Sequence, residues 1–330
     1  MTSFGKITLN KDHVLCCSAV GFAITHYLQT LLCLLGQSLV FDEASLVCKK
    51  LLHIDISSHQ IQRVCRYYGG LVDPLIEKNT VEYIPSLTGV SHDERVYVMV
   101  DGSYLPTRNK EWKEIKLARI FNEGKVIPIH PKRKEVVQSI YVSHMGSVDK
   151  FFPKLERHLV PYKKKVIIAD GASWIWNWAE DNYPGALQIL DFYHAKEKLV
   201  LFANHHFKNE EKRKQWTDKR CNDLLQNGVE TVIGLVKSMR TKTEKAKEVK
   251  DKLIKYYIDH SDRMMYKTYR EQGLLIGSGP IEAAHRSVLQ QRMKLSGQKW
   301  SVDGANAIAN LRCYYKSGAW NIIENIIKAA

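Results

Sequence analysis

The sequence predicts an α/β protein: a mixed sheet interrupted by an all-helical insertion and preceded by a helical N-terminal region. Three observations carry this. Hydrophobic spacing changes at Arg95 from helical to continuous β-branched runs. Three of those runs end at an aspartate, and residues 195–270 show no strand pattern at all. The expected boundaries are 1–92 for the helical region, 93–194 for the first part of the core, 195–272 for the insertion and 273–330 for the rest of the core.

The helical region comes first. From His13 to Phe41 there is no Lys, Arg, Asp or Glu. The stretch is long enough to span a bilayer, but Ser18, Thr25, His26, Gln29, Thr30 and Gln37 interrupt it and no basic cluster flanks one side. Buried helices are the expectation. Next, Phe41 to Leu52 reads as a helix, His53–Ile56 as a turn, and Ser57 with Gln60 as a capping box that opens a second helix. Ile61, Val64, Cys65 and Tyr68 share one face of that helix, while His59, Gln62, Arg63 and Arg66 share the other. Such a pair, spanning about residues 41–68, fits a helix-turn-helix that reads a DNA groove. A helical hairpin with a solvated face has the same pattern.

Val96–Val100 is the first buried strand and is expected to stop at Asp101-Gly102. Ile115–Phe121 and Val136–Ser143 alternate like further strands, and Val148–Leu159 has helical spacing behind Ser147. Val166–Ala169 runs into Asp170-Gly171, and Leu187–Leu190 into Asp191. That is the arrangement expected along one edge of an α/β sheet. Residues 195–270 carry 19 Lys and Arg against 11 Asp and Glu, more than half of the surplus positive charge of the chain. Gly277-Ser278-Gly279-Pro280 then opens a last run of helix.

The charge narrows the function. With 49 Lys and Arg against 35 Asp and Glu, the formal charge of +14 points to a polyanionic partner, of which nucleic acid is the commonest. Seven Cys with no Cys-x-x-Cys pair argue against a disulfide framework or zinc ribbon and suit a reducing cytoplasm. The first residues lack the order of a signal peptide. Ser173 sits in no Gly-x-Ser-x-Gly elbow, and Gly277-x-Gly279 follows no strand, so neither a serine hydrolase nor a dinucleotide fingerprint is supported.

Asp101, Asp170 and Glu282 are the principal candidates for chemistry. Three carboxylates brought together repel one another unless cations neutralise them, and few all-oxygen ligands suit Mg²⁺ or Mn²⁺. Two such ions serve in-line displacement at phosphorus. Singly, each residue has a plainer explanation: an Asp-Gly turn, or a first-turn Glu favouring the helix dipole. Asp191 and His194, three apart at a helix start, can pair with each other, a phosphate or a metal. Arg292, Lys294, Lys299 and Trp300 combine phosphate-binding cations with an indole able to stack on a base.

Asp101-Gly102-Ser103, Glu111-Trp112-Lys113-Glu114, Ala169-Asp170-Gly171-Ala172-Ser173-Trp174-Ile175-Trp176, Leu190-Asp191-Phe192-Tyr193-His194 and Ile276-Gly277-Ser278-Gly279-Pro280-Ile281-Glu282 together resemble the DDE-type transposases of bacterial insertion sequences. The nearest subgroup is the Kra insertion-sequence family, related to Mutator-like and hAT-like groups, and the match spans about residues 40–320. The resemblance implies an RNase H-like catalytic domain with a helical insertion between the second Asp and the Glu. It implies that Asp101, Asp170 and Glu282 form the metal-binding triad for two Mg²⁺ or Mn²⁺ ions. Asp191 and His194 stand where the related groups carry a motif that positions DNA, and Asp191 is an alternative to Asp170 as second metal ligand. The family's N-terminal region is usually longer than this one, which bears on terminal-repeat recognition more than on chemistry. The expected function is therefore binding of inverted terminal repeats, with cleavage and strand transfer by a cytoplasmic, nucleoid-associated homodimer or higher oligomer. The alternatives are a nuclease on the same fold, a non-catalytic DNA-binding descendant, and a membrane-associated protein built on residues 13–41.

Overall fold

The computed structural model describes residues 22, 24–78, 80–130 and 133–330. Residues 13–21 and 23 of the uncharged stretch, Cys16 and Cys17 among them, lie outside the described residues. Three helices come first: α1 (His26–Ser38), α2 (Phe41–Leu51) and α3 (Ser58–Glu77). Then follow β1 (Arg95–Pro106), β2 (Trp112–Asn122), β3 (Val126–His130), β4 (Arg133–Val136), β5 (Ile140–Met145) and α4 (Val148–Leu159). Next are β6 (Lys164–Ala169), α5 (Ser173–Asn182) and β7 (Leu187–Leu190). Five helices succeed one another without a strand: α6 (Phe192–His206), α7 (Glu210–Gln226), α8 (Val229–Ser238), α9 (Glu244–Asp259) and α10 (Tyr266–Glu271). α11 (Gly279–Ala284) passes through a π-helical stretch, His285–Gln290, into α12 (Gln291–Met293), before α13 (Val302–Lys316) and α14 (Trp320–Ala329).

The result is a mixed α/β fold. Five strands form one sheet in the order β5-β2-β1-β6-β7, and β3 pairs with β4 separately. β5 runs antiparallel to β2, whereas β1, β6 and β7 are parallel. The chain divides into two compact units, one of Met1–Glu94, Gly102–Lys163 and Ala283–Ala330, the other of Arg95–Asp101 and Lys164–Glu282. Among the described residues, no helix is long and apolar enough to cross a membrane.

In the first unit, Ser57 caps α3 by accepting the Gln60 N–H at 3.2 Å. Only half of the expected capping box forms, because the Gln60 side chain accepts from Arg63 at 3.3 Å instead. The helix continues beyond Tyr68 to Glu77, with Pro74 inside it. Its buried stripe extends accordingly from Ile61, Val64, Cys65 and Tyr68 to Val72 and Ile76. Burying each such large apolar side chain contributes about 1.5–3 kcal/mol. α3 crosses α13 at Gly69, where an added Cβ would collide with the Ala307 carbonyl. Lys154, 7 % exposed, is neutralised by Asp73 at 2.6 Å and also donates to Ser143 O and Asn310 Oδ1.

The second strand of the antiparallel pair differs from the expected Val136–Ser143. Val136 ends β4, and Ser139, held by Arg119 Nε at 2.9 Å, precedes β5 at Ile140. The five described cysteines, Cys33, Cys48, Cys65, Cys221 and Cys313, are all free and buried.

In the second unit, Val96–Val100, Val166–Ala169 and Ile189–Leu190 are buried and in parallel register. The helical segment from α6 to α10 is fastened to these strands through tyrosine hydroxyls. Tyr266 Oη donates to Leu190 O at 3.1 Å and Tyr269 Oη to Gln188 O at 3.3 Å. Tyr257 Oη donates to Ala195 O at 2.8 Å at the start of α6. Each buried hydroxyl thereby finds an acceptor as its ring fills the core.

Candidate active site

Register places the acidic residues. Val100 pairs with Ala169 and Ala169 with Leu190, so Asp101, Asp170 and Asp191 follow side by side on three adjacent parallel strands. Neighbouring strands lie about 4.8 Å apart. The Asp191 N–H donates to Ala169 O at 2.8 Å and closes the level. β1 does not stop at Asp101 as expected but continues to Pro106. The reason is a tight turn, in which Thr107 N–H bonds Glu111 O at 2.8 Å, so the chain remains extended up to that turn.

Asp101 and Asp170 are half-buried, and Glu282 is exposed. Asp170 is held from both sides: its Oδ1 accepts Ala172 N–H at 2.9 Å, and its carbonyl accepts the Trp176 indole N–H at 2.7 Å. That bond accounts for one tryptophan of the Trp-rich α5.

Asp191 is fully buried and caps α6. It accepts from Tyr193 N at 3.1 Å, His194 N at 3.2 Å, His194 Nδ1 at 2.6 Å, Ser278 N at 3.0 Å and Ser278 Oγ at 2.8 Å. Burial alone would raise its carboxyl, but the bonds from His194, Ser278 and Tyr193 outweigh burial and hold it below the ordinary 3.8. His194 is raised to about 9, first by its hydrogen bond to Asp191 and, against burial, by the charges of Asp191, Glu197 and Asp170. At neutral pH it is an imidazolium.

Ser278 Oγ also lies 3.3 Å from Glu282 Oε1. The one hydroxyl proton of Ser278 can serve Asp191 or Glu282, and its position between them brings Glu282 to the same end of the sheet as Asp191. Sequence reasoning singled out Glu282 without its tether.

α9 contributes Tyr256, whose ring occupies the space a Cβ on Gly171 would need, with Oη 2.7 Å from that Cβ position. Burial, then the charges of Asp170, Asp191 and Glu197, push this phenol well above 10, so it remains a donor. Among the described residues, no three His, Cys, Asp or Glu side chains gather into a ready-made metal cluster. Mg²⁺ commonly takes only one or two protein carboxylates and completes its shell with water and phosphate oxygens. Asp101 and Asp170 bring two half-buried carboxylates to the ends of adjacent strands.

The nucleic-acid candidates lie in the first unit and separate by burial. His59, Arg63, Arg66, Lys294 and Lys299 are exposed and Gln62 half-buried. One concave surface joins His59, Gln62, Arg63 and Arg66 to Arg108, and an adjoining one adds Lys299. Arg66 meets Asp303 at 3.3 Å, with both side chains largely exposed.

Arg292 and Trp300 stand elsewhere than expected. Arg292 is 1 % exposed, bonds Gly36 O through Nε at 3.0 Å and packs over the Phe41 and Trp300 rings. Trp300 is 8 % exposed and donates its indole N–H to Met293 O. Its backbone is stitched to Pro106 and Arg108, which turns the ring inward. The exposed indole beside a basic side chain is instead Trp112, 60 % exposed with Lys294 Nζ 6.0 Å from its ring centre.

A protein family described as "Uncharacterised protein family (UPF0236)" matches residues 54–324, and the chain belongs to it. No curated protein matches the sequence. Among solved structures the chain is similar to the "Drosophila P element transposase strand transfer complex", at 12 % identity over 97 % of this chain and 82 % of that one, with a TM-score of 0.31. A likeness of that size has no bearing on activity.

Proposed function

We propose that the protein is a DDE-type DNA transposase on an RNase H-like core, as the motif resemblance to Kra-type insertion-sequence enzymes implies. The observation that carries the reading is the shared level of Asp101, Asp170 and Asp191 at the strand ends, with Glu282 Oε1 3.3 Å from the Ser278 hydroxyl beside Asp191. A five-stranded mixed sheet and a basic, strand-free segment between β7 and Glu282 support it.

Asp101 and Asp170, with Glu282, would hold two Mg²⁺ or Mn²⁺ ions. Such ions supply activation of the attacking oxygen and charge stabilisation of the leaving one. Asp191 orients His194, whose imidazolium is then a fixed positive charge for a DNA phosphate. The helix-turn-helix reading of α2 and α3 assigns terminal-repeat contacts to His59, Gln62, Arg63 and Arg66, with Lys294 and Lys299 adding phosphate contacts. Arg292 and Trp300 hold the fold instead. Synapsis of two ends requires a dimer or larger assembly.

The test uses duplex DNA from the regions flanking the reading frame, with Mg²⁺ or Mn²⁺. The unmutated protein should cleave it and join a pre-cleaved end bearing a free 3′ hydroxyl to a target. Asp101→Asn should abolish both reactions and leave binding nearly intact. Cleavage without joining would identify the nuclease instead. Binding with no metal-dependent cleavage would identify a non-catalytic descendant.

A further inference from the structure

We propose that the turn joining β1 to β2 carries a stacking site for an unpaired nucleotide of a DNA strand, with Trp112 as the platform and Lys294 beside it for the phosphate. The proposal rests on the DNA-binding part of the reading above and adds to it a site within the first unit. Exposure comes first. Of the seven tryptophans, six are buried or half-buried, and Trp112 alone is exposed, at 60 %. An indole left in water forgoes one of the largest apolar burials a side chain can make. Alternation across the turn explains its direction. Thr107 N–H bonds Glu111 O at 2.8 Å, so Leu105, Thr107 and Ile115 face the core while Tyr104 and Trp112 face outward. Tyr104 is 55 % exposed, and two rings therefore share the outer face.

The platform is rigid. Arg108 N–H bonds Trp300 O and Trp300 N–H bonds Pro106 O, both at 3.0 Å, which fastens the turn to the segment carrying Lys294 and Lys299. Charge selects the occupant. Arg108, Lys110, Lys113, Lys294 and Lys299 are all exposed. Of the acids flanking Trp112, Glu111 is exposed and Glu114 bonds Lys116 Nζ at 2.7 Å. A second copy of this surface would bring like charges together, whereas a polyanion would neutralise them. Within a duplex the faces of the bases are covered by their neighbours, so an exposed indole fits a base that is unpaired. Lys294 Nζ, 6.0 Å from the ring centre, supplies the charge for the phosphate of that nucleotide.

The experiment is fluorescence-anisotropy binding without divalent metal, on a labelled duplex with a single-stranded poly(dT) tail and on the same duplex fully paired. The unmutated protein should bind the tailed probe more tightly. Trp112→Ala should weaken binding of the tailed probe about tenfold and leave the paired probe within about twofold. Trp112→Phe should restore most of the loss, and thermal unfolding should not move in either variant. Lys294→Ala should weaken tailed-probe binding and flatten its salt dependence. Equal loss on both probes, no loss on the tailed one, or Trp112→Phe as weak as Trp112→Ala overturns the proposal. So does a dimer that dissociates on Trp112→Ala in sedimentation, which would assign the ring to a second copy. Absence of Mg²⁺-dependent cleavage overturns the phosphoryl-transfer reading alone, and failure to bind either probe overturns both.

Discussion

Asp191 offers the sharpest quantitative test of the site's scaffold. It is fully buried, caps α6 and accepts a charged hydrogen bond from His194 at 2.6 Å. Asp191→Ala removes a helix cap, which costs about 1 kcal/mol. It also breaks a buried ion pair by deleting one partner, typically about 3–5 kcal/mol. His194 retains 31 % side-chain exposure and can shed its proton, so the lower end applies. The expected destabilisation at pH 7 is about 3–4 kcal/mol in urea unfolding followed by tryptophan fluorescence. Asp191→Asn keeps a capping oxygen and should cost less. In Asp191→Asn, the His194 pKa measured by NMR should drop from about 9 toward the ordinary 6.5.

The pH dependence supplies an independent check. A folded-state value near 9, above the ordinary 6.5, means that the His194 contribution is complete below about pH 6.5 and is lost as pH rises through 9. Asp191 is shifted the opposite way, so its contribution holds above the ordinary 3.8 and is lost as pH falls below it. The stability gap between the unmutated protein and Asp191→Ala should therefore narrow at pH 10 to about the 1 kcal/mol of the cap. A gap that is flat from pH 6 to 10, or smaller than about 1 kcal/mol at pH 7, would refute the coupling.

Two further outcomes follow from packing and charge. Gly69→Ala forces a methyl into the Ala307 backbone where α3 crosses α13, and should cost about 1–3 kcal/mol in denaturant unfolding. On the proposed DNA surface, Arg63→Ala, Arg66→Ala and Lys299→Ala should each leave stability within about 0.5 kcal/mol. Each should flatten the slope of log binding constant against log salt by about 0.9 for every DNA phosphate that the side chain had neutralised. Arg292→Ala should behave oppositely, unfolding the protein more readily by about 3 kcal/mol or more with no specific change in slope, because its guanidinium is locked inside the first unit.

Legibility in the sequence followed the range of the interactions. α4 spans Val148–Leu159 directly behind Ser147, as its spacing implied, because an amphipathic stripe is a local signal, although the Ser147 side chain makes no capping bond. β6 and β7 end where the apolar runs meet Asp170 and Asp191 for the same reason. β1 was harder: Asp101-Gly102 looks like a turn, but strand pairing carries the backbone past it to Pro106. Arg292 and Trp300 misled for a different reason. A cation next to an indole reads as a surface motif, yet the Gly36 carbonyl and the Pro106–Arg108 backbone arrive from about 250 and 190 residues away and bury both. Ser278 entered the sequence reading only within the Gly277–Pro280 helix start, since its bonds to Asp191 come from a partner 87 residues away rather than from spacing.

Hydrogen bonding separates Asp170 from Asp191 as the second metal ligand of the proposed reading. A carboxylate offers about four lone-pair sites. Asp191 accepts five hydrogen bonds, so a cation could enter only by displacing His194, Ser278 or the α6 cap. Displacing Ser278 would also disturb its contact with Glu282 at 3.3 Å. Asp170 commits Oδ1 to Ala172 and is half-buried rather than sealed. Two aspartates at the same level of adjacent strands therefore differ in their surroundings: Asp170 is partly exposed and bonds Ala172 through Oδ1, while Asp191 is sealed and holds His194, Ser278 and the α6 cap. Under the proposed reading, Asp191→Asn is a test of positioning: the reaction rate should fall because His194 loses the carboxylate that holds its charge, while Asp101 and Asp170 remain in place.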